Sequence, residues 1–155
     1  MSLVYLNGEY KLIEEASVNV LDRGFIFGDG VYEVVPIFNR KIFRFDEHIR
    51  RLENSLKAIY INNPLEKKEW HNIFNQLINS SEHLNQSIYL QITRGVSERD
   101  HDISVADKPT IFAMSRPIEK NDFSSGIKAI THEDIRWQCC DIKAITLLPS
   151  ILLRH

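Results

Sequence analysis

Lys143 is the residue whose surroundings most strongly suggest chemistry. It lies in the segment CDIKAITLLPS between Ile142 and Ala144, where a positive charge is costly to bury. Burial favours the neutral amine of a lysine, which is the nucleophile that condenses with an aldehyde. A lysine at the edge of the core that extends its ammonium into water would have the same neighbours. The segment alone therefore leaves a functional amine and a surface lysine both open.

A polar loop, TRGVSERDHD, carries a second pair of candidates, Arg99 and His101. One residue separates them, so in an extended loop their side chains point to the same side. A guanidinium offers two parallel charged donors, and an arginine beside a histidine suits a carboxylate ligand. The acidic residues of the loop would also balance these charges at a solvated surface. The pattern alone favours that second interpretation.

Two adjacent arginines, Arg50 and Arg51, lie in EHIRRLENS beside apolar residues of a predicted helix. Neighbouring side chains on a helix point about 100° apart, so at most one of the two is directed inward. An inward guanidinium there could hold a phosphate, although most helix arginines are solvated.

A glycine-rich stretch, DRGFIFGDGVYE, leads into a strand. A loop that cradles phosphate should instead lead from a strand into a helix, so this stretch predicts a structural turn. Its acidic residues are spaced too irregularly to favour a metal cluster. The histidines and cysteines of the chain also lack the spacing of metal ligands, and no metal site is predicted.

The elements that must position these residues follow from hydrophobic periodicity. The segment LVYLNGEYKLI predicts a hairpin that turns at Asn7-Gly8, and VYEVVPIFNRKIFRF predicts a second hairpin that turns at Asn39-Arg40. Pro36, within the second hairpin, indicates an edge strand or a bulge.

Two amphipathic helices and further strands complete the predicted elements. Asp46 is the predicted N-cap of the first helix, and NNP separates it from the second. The apolar stripes are Ile49, Leu52, Leu56 and Ile59 in the first helix, and Trp70, Ile73, Phe74, Leu77 and Ile78 in the second. SIYLQITRG and PTIFAMSR predict strands, and IKAITHEDIRW predicts the start of another. The last residues before His155 predict the opening of a further helix.

Composition limits the class of protein. The chain has 155 residues, of which 43% are hydrophobic and 26% charged, which is enough for one sizeable core. Its net charge of -2 gives no electrostatic footprint for nucleic acid. No apolar run approaches the length of a membrane span, and no secretory leader is visible. Two adjacent cysteines favour a reducing cytoplasm over a disulfide framework. We therefore expect an α+β domain at residues 1–116, a linker at 117–126 and the start of a second domain at 127–155.

Four segments in this order, DRGFIFGDGVYEVV, EHIRRLENS, QITRGVSERDH and EDIRWQCCDIKAITLL, resemble the fold-type-IV aminotransferases that depend on pyridoxal phosphate. The resemblance is strongest to the members that act on D-amino acids. It runs from the first hairpin to His155, which is about the first half of the usual length of this family. It implies a two-layer N-terminal domain, an antiparallel sheet with two helices, followed by the beginning of the cofactor-binding domain.

The resemblance also implies a role for each candidate. Lys143 corresponds to the lysine that binds the cofactor aldehyde, and Arg51 to the arginine that binds its phosphate. Tyr32 corresponds to an active-site tyrosine, and Arg99 and His101 complete a trap for the substrate carboxylate. In the family this pair reaches the site of the neighbouring subunit, so the resemblance implies a homodimer.

The expected reaction of the full-length protein converts D-alanine and 2-oxoglutarate into pyruvate and D-glutamate. The pair in SERDH favours it over two alternatives of the same family, an aminodeoxychorismate lyase and a branched-chain aminotransferase. A non-catalytic α+β fragment is the alternative of another class. The glutamate that pairs with the cofactor ring nitrogen in this family comes tens of residues after the lysine. We therefore expect the 155-residue chain alone to be inactive and to bind cofactor weakly or not at all.

Overall fold

The computed structural model describes residues 2–103, 108–119 and 122–154. Parts of the predicted loop at 96–108 and of the predicted linker at 117–126, together with His155, lie outside these ranges. Within them, the chain forms a six-stranded antiparallel sheet with two longer helices packed on one face. This agrees with the predicted two-layer α+β class. No helix among the described residues is long and apolar enough to cross a membrane.

The elements have the following bounds. The strands are β1 (Leu3–Leu6), β2 (Glu9–Leu12), β3 (Gly30–Phe38), β4 (Lys41–Ile42), β5 (Gln86–Thr93) and β6 (Thr110–Pro117). The α-helices are α1 (Arg23–Phe27), α2 (Phe45–Ala58), α3 (Lys67–Asn79) and α4 (Leu148–Leu152), and a short 3-10 helix spans Ile13–Glu15. The sheet order is β2-β1-β6-β5-β3-β4.

Both predicted hairpins are present. The β1–β2 turn has positive φ at Asn7 (51°) and Gly8 (98°), and the β3–β4 turn has positive φ at Asn39 (48°) and Arg40 (60°). Two consecutive positive φ values are typical of the two-residue turns whose twist matches that of the flanking strands. The hairpins therefore form where the sequence places them.

The core lies between the sheet and the two longer helices. Alternate residues of β3 point toward the helices, among them Val31, Val35 and Ile37, which are fully buried. Each predicted helix stripe is buried against this face, except that Ile59 lies just past the end of α2 and is only partly buried. Each large apolar side chain buried in this way stabilises the fold by about 1.5–3 kcal/mol.

The outer edge of β3 is covered by two different segments. β4 pairs with its last residues, and the segment at residues 143–145 pairs with its first residues. The Pro36 carbonyl accepts a hydrogen bond from the Phe43 N–H (2.9 Å), so the backbone of Pro36 faces this outer edge. A proline has no N–H to contribute there, but β3 is the neighbour of the edge strand β4 and not itself the edge strand that Pro36 was expected to indicate.

Two further sequence predictions are wrong. The first helix begins at Phe45 after Arg44, which has φ 50° and makes no side-chain cap, so Asp46 is not the N-cap. Asp46 lies instead in the first turn, where the helix dipole stabilises a carboxylate. Its Oδ1 is 2.8 Å from Lys67 Nζ. The strand predicted from residue 127 is also not formed in the described part of the chain. Ile127 and Ile130 are 78% and 89% exposed, with no described strand beside them to pair with.

Candidate active site

A cavity of about 820 Å³ lies where the start of β3 meets the segment that carries Lys143. The Lys143 ammonium lies over the aromatic ring of Tyr32, with Nζ 3.8 Å from the ring centre. The backbone of Lys143 is fixed as well, because its carbonyl accepts from the Tyr32 N–H (3.0 Å) and its N–H donates to Ser55 Oγ (3.1 Å). The lysine is thus attached to both the sheet and α2, and its amine lines the cavity.

The glycine-rich turn provides the space for this segment. Gly28 ends α1 with φ 69°, and a β-carbon at this position would lie 2.5 Å from Thr146 Cγ2. A β-carbon at Gly30 would lie 2.6 Å from the Ile92 carbonyl oxygen and 3.1 Å from Ile145 Cδ1. The prediction of a structural turn is confirmed, and the turn has a specific use: it lets the chain around Lys143 approach the sheet closely.

Tyr32 and Glu33 are neighbours in β3 and therefore point to opposite faces of the sheet. Tyr32 is half-buried on the face away from the helices, beside Tyr89 at a ring separation of 5.9 Å. Glu33 is only 1% exposed and points toward α2. The strand thus presents an aromatic ring to the cavity and a carboxylate to the helix.

Arg51 binds this carboxylate in a bidentate manner. Its Nε and Nη2 each donate to one oxygen of Glu33 at 2.7 Å, and His48 Nδ1 lies 2.9 Å from Oε2. The Glu33 hydrogen bonds raise the pKa of Arg51. Arg51 does not line the Lys143 cavity, but Ser55 follows it by one helical turn and binds the Lys143 backbone. Arg50 is exposed.

Arg99 and His101 share an aromatic neighbour, Phe27. The guanidinium carbon of Arg99 lies 5.4 Å from the centre of this ring, and the imidazole ring of His101 lies 5.5 Å from it. The two side chains therefore contact the same ring. They do not line the cavity that contains Lys143 of the same chain.

A buried charge network joins the glycine-rich turn to the loop of Arg99. Asp29 Oδ2 accepts from Arg23 Nε (2.9 Å) and Arg94 Nε (2.7 Å), and its Oδ1 accepts from Arg94 Nη2 (2.9 Å). Burial alone would raise the pKa of Asp29, but the charged hydrogen bonds from the two arginines outweigh it and the pKa is lowered. Asp29 therefore stays ionised between two cations.

Sequence reasoning missed several residues that support the site, namely Arg23, Phe27, Glu33, Ser55 and Arg94. A signal existed for Glu33, which shares the alternation of Val31 and Val35 and so had to be a carboxylate on an apolar face. Such a group requires a cationic partner, and α2 offers arginines. No comparable signal existed for Ser55, because its partner is a backbone N–H 88 residues away.

The described residues contain no group of three or more His, Cys, Asp or Glu side chains that could hold a metal ion. The arrangement instead combines an amine in a cavity, an aromatic ring against it, and two separate clusters of cationic side chains. These are groups that bind an aldehyde, a phosphate and a carboxylate.

The model of the class IV aminotransferase family matches residues 30–155. The chain belongs to this family. The branched-chain aminotransferase of the thermophilic archaeon Thermoproteus uzoniensis, solved with norvaline, superposes with a TM-score of 0.68 at 23% identity. The superposition covers 77% of this chain and 42% of that protein, and it shows the shared fold.

Among curated relatives, the D-alanine aminotransferase of Staphylococcus haemolyticus is 36% identical over 100% of this chain and 56% of its own length. The D-alanine aminotransferase of Bacillus licheniformis is 37% identical over 98% of this chain and 54% of its own length. The chain thus spans little more than half the length of these relatives.

Proposed function

We propose that the full-length protein carrying this chain is a pyridoxal-phosphate-dependent aminotransferase of D-amino acids. It converts D-alanine and 2-oxoglutarate into pyruvate and D-glutamate. The observation that carries this proposal is the position of Lys143, whose amine lines a cavity of about 820 Å³ and lies against the ring of Tyr32. The names of the two curated relatives support the choice of substrate.

Lys143 and Tyr32 in the cavity, and Arg51 outside its lining, are the residues that would hold the cofactor. In the part of the chain that the structure describes, the Lys143 ammonium contacts an aromatic ring and is in no ion pair with a carboxylate, so its amine is available to an aldehyde. Arg51 uses Nε and Nη2 for Glu33, while its Nη1 donates to no described residue and remains for a phosphate oxygen. When bound, pyridoxal phosphate supplies the aldehyde and a ring that takes up negative charge from the substrate α-carbon.

Each of the chain's own groups then has a defined task. Lys143 Nζ would hold the cofactor aldehyde, and its neutral amine would move the proton at the substrate α-carbon. Arg51, fixed by Glu33, holds the phosphate. Arg99, His101 and Tyr32 hold the substrate carboxylate, and this decides which face of the α-carbon meets the lysine.

The protein acts as a homodimer in this proposal. Arg99 and His101 do not line the Lys143 cavity of their own chain, although they contact Phe27, which does line it. In the family that the chain resembles, this pair reaches the site of the neighbouring subunit, and that likeness supports the dimer. The two exposed free cysteines, Cys139 and Cys140, suit a reducing compartment, and we place the protein in the cytoplasm.

Replacing Lys143 tests the proposal. We expect the full-length protein to bind pyridoxal phosphate with a visible absorbance band, and borohydride reduction followed by peptide mass spectrometry to locate the cofactor on Lys143. Lys143→Ala should abolish both signals and the D-alanine activity, whereas Lys128→Ala, at an exposed lysine away from the cavity, should change neither.

The 155-residue chain should show no stable, stoichiometric band. Cofactor found on another lysine would contradict the assignment of Lys143. Activity on L-leucine or on aminodeoxychorismate without activity on D-alanine would select one of the two alternatives of the family.

A further inference from the structure

Arg23 is a buried arginine that spans the gap between the glycine-rich turn and the loop of Arg99 and His101. It is only 3% exposed. Its Nε donates to Asp29 Oδ2 at 2.9 Å, while its Nη1 donates to the backbone carbonyls of Asp100 (2.5 Å) and Asp102 (3.3 Å). One guanidinium therefore holds the two carbonyls on either side of His101.

Arg23 is itself held in place by Asp29. The carboxylate of Asp29 also binds Arg94 in a bidentate manner, at 2.7 and 2.9 Å. Arg94 Nη2 in turn donates to the Ile59 carbonyl, just past the end of α2, at 2.7 Å. Asp29 is thus attached through Arg94 to the residues just past the ends of β5 and α2, so Arg23 has an anchor outside the loop.

A second contact connects the same residues. Phe27 follows Arg23 by one turn of α1, and its ring centre lies 4.9 Å from the Arg23 guanidinium carbon. The ring is also the neighbour of Arg99 and His101. The loop backbone is therefore bonded to Arg23, while its two functional side chains rest on a ring that Arg23 also contacts.

We infer that Arg23 is a positioning residue for the substrate carboxylate. It fixes the backbone at Asp100 and Asp102, and thereby the directions in which Arg99 and His101 project. The inference rests on the proposed function for its link to substrate, whereas the anchoring of the loop can be tested without it.

Limited proteolysis of the 155-residue chain tests the anchoring. A lysine at position 23 keeps the charge but lacks the fork that binds a carboxylate and two carbonyls together. We expect Arg23→Lys to accelerate cleavage by trypsin after Arg99 and by thermolysin before Ile103 at least tenfold. Arg44→Lys, at an exposed arginine whose ion pair among the described residues is with Glu47, is the matched control and should leave both rates unchanged.

Thermal unfolding of each variant verifies that cleavage starts from a folded chain. If Arg23→Lys does not fold, Asp29→Asn is the second variant, because its amide keeps the shape of the carboxylate and weakens the hold on Arg23. We expect the same acceleration at Arg99 and Ile103. Cleavage rates equal to wild type in a folded variant would overturn the anchoring.

Kinetics of the full-length protein test the link to substrate. We expect Arg23→Lys to raise KM for D-alanine at least tenfold, with a smaller change in kcat and no change in pyridoxal phosphate affinity. Faster cleavage together with an unchanged KM would overturn the positioning role. A wild-type protein without activity on any D-amino acid would refute the proposed function. The proteolysis would still show whether Arg23 anchors the loop.

Discussion

Arg99 and His101 illustrate how residue types acquire a function only when the backbone aligns them. Their spacing predicts that they point to the same side, and the structure brings both against Phe27. A guanidinium and an imidazole at one place provide a fork and a single donor for a carboxylate. Neither residue lines the Lys143 cavity of its own chain, and the likeness to the family is the reason why we propose that they serve the site of a second copy.

Replacing Arg99 by alanine in the full-length protein should weaken substrate binding. A charge-assisted hydrogen bond contributes about 1.5–3 kcal/mol, which corresponds to a rise of about 10- to 150-fold in KM for D-alanine. We expect pyridoxal phosphate affinity to stay unchanged, because Arg99 lies outside the cavity of Lys143. Steady-state kinetics and a cofactor titration measure the two effects.

Arg50→Ala, at the exposed arginine of α2, is the matched control for this measurement and should not change KM. Equal KM values for wild type and Arg99→Ala would remove Arg99 from the carboxylate trap.

The sequence allows a role to be proposed for a single residue, but it does not show which side chains meet. The resemblance assigns Lys143 and Tyr32 separately, but nothing in CDIKAITLLPS indicates that the lysine lies against that ring. The bidentate pair of Arg51 and Glu33 was not predicted, since it depends on how α2 packs over β3. The two charges come together only in the tertiary fold.

At the scale of elements, the two longer helices and the two hairpins were predictable because periodicity and turn chemistry are local. The N-cap of α2 was not, because the chain leaves β4 with Arg44 at φ 50° and enters the helix two residues earlier than an N-cap at Asp46 indicates. The strand predicted from residue 127 has suitable residues, but a strand also needs a partner. Pairing is not a property of a single segment.

Two glycines with nearly equal φ values separate conformational strain from steric crowding. Gly8 has φ 98° with nothing within 4 Å of an added β-carbon, while Gly95 has φ 99° and a β-carbon there would lie 1.8 Å from the Lys108 carbonyl oxygen. Gly8→Ala should reduce the free energy of unfolding by about 1–2 kcal/mol, the cost of a left-handed conformation. Gly95→Ala should cost about 1–3 kcal/mol more, because the backbone of Lys108 must move.

Urea unfolding of the two alanine variants measures this difference, with Gly8→Ala as the matched control for conformational strain. An equal decrease in the free energy of unfolding in both variants would show that the backbone of Lys108 can move away from Ala at position 95 without destabilising the fold.

At the scale of the whole molecule, we propose that the chain divides into a domain at residues 1–116, a linker at 117–126 and the start of a second domain at 127–155. The last strand ends at Pro117, and the apolar core lies before it. After it, many apolar side chains are exposed, among them Phe123 at 65% and Ile130 at 89%. Residues 143–145 are nevertheless attached to β3 by backbone hydrogen bonds.

Chymotrypsin should detect this division. Phe123 and Tyr60 are both exposed aromatic residues, but the backbone of Tyr60 is hydrogen-bonded to the end of α2. We expect cleavage after Phe123 to precede cleavage after Tyr60 at least tenfold, leaving a resistant N-terminal fragment identified by mass spectrometry. First cleavage at Tyr60 would contradict the proposed boundary.

The outer edge of β3 pairs with two segments, β4 and residues 143–145, which the ribosome synthesises at different times. Lys143 is made about 1 to 5 s after Pro117, at elongation rates of about 5–20 residues per second. During this interval the sheet can already form while the first half of the β3 edge still lacks the segment that later pairs with it. An uncovered strand edge is a template for another nascent chain. Pro36 withholds a donor only in the half of the edge that β4 covers, so the first half stays open to such pairing until residues 143–145 cover it.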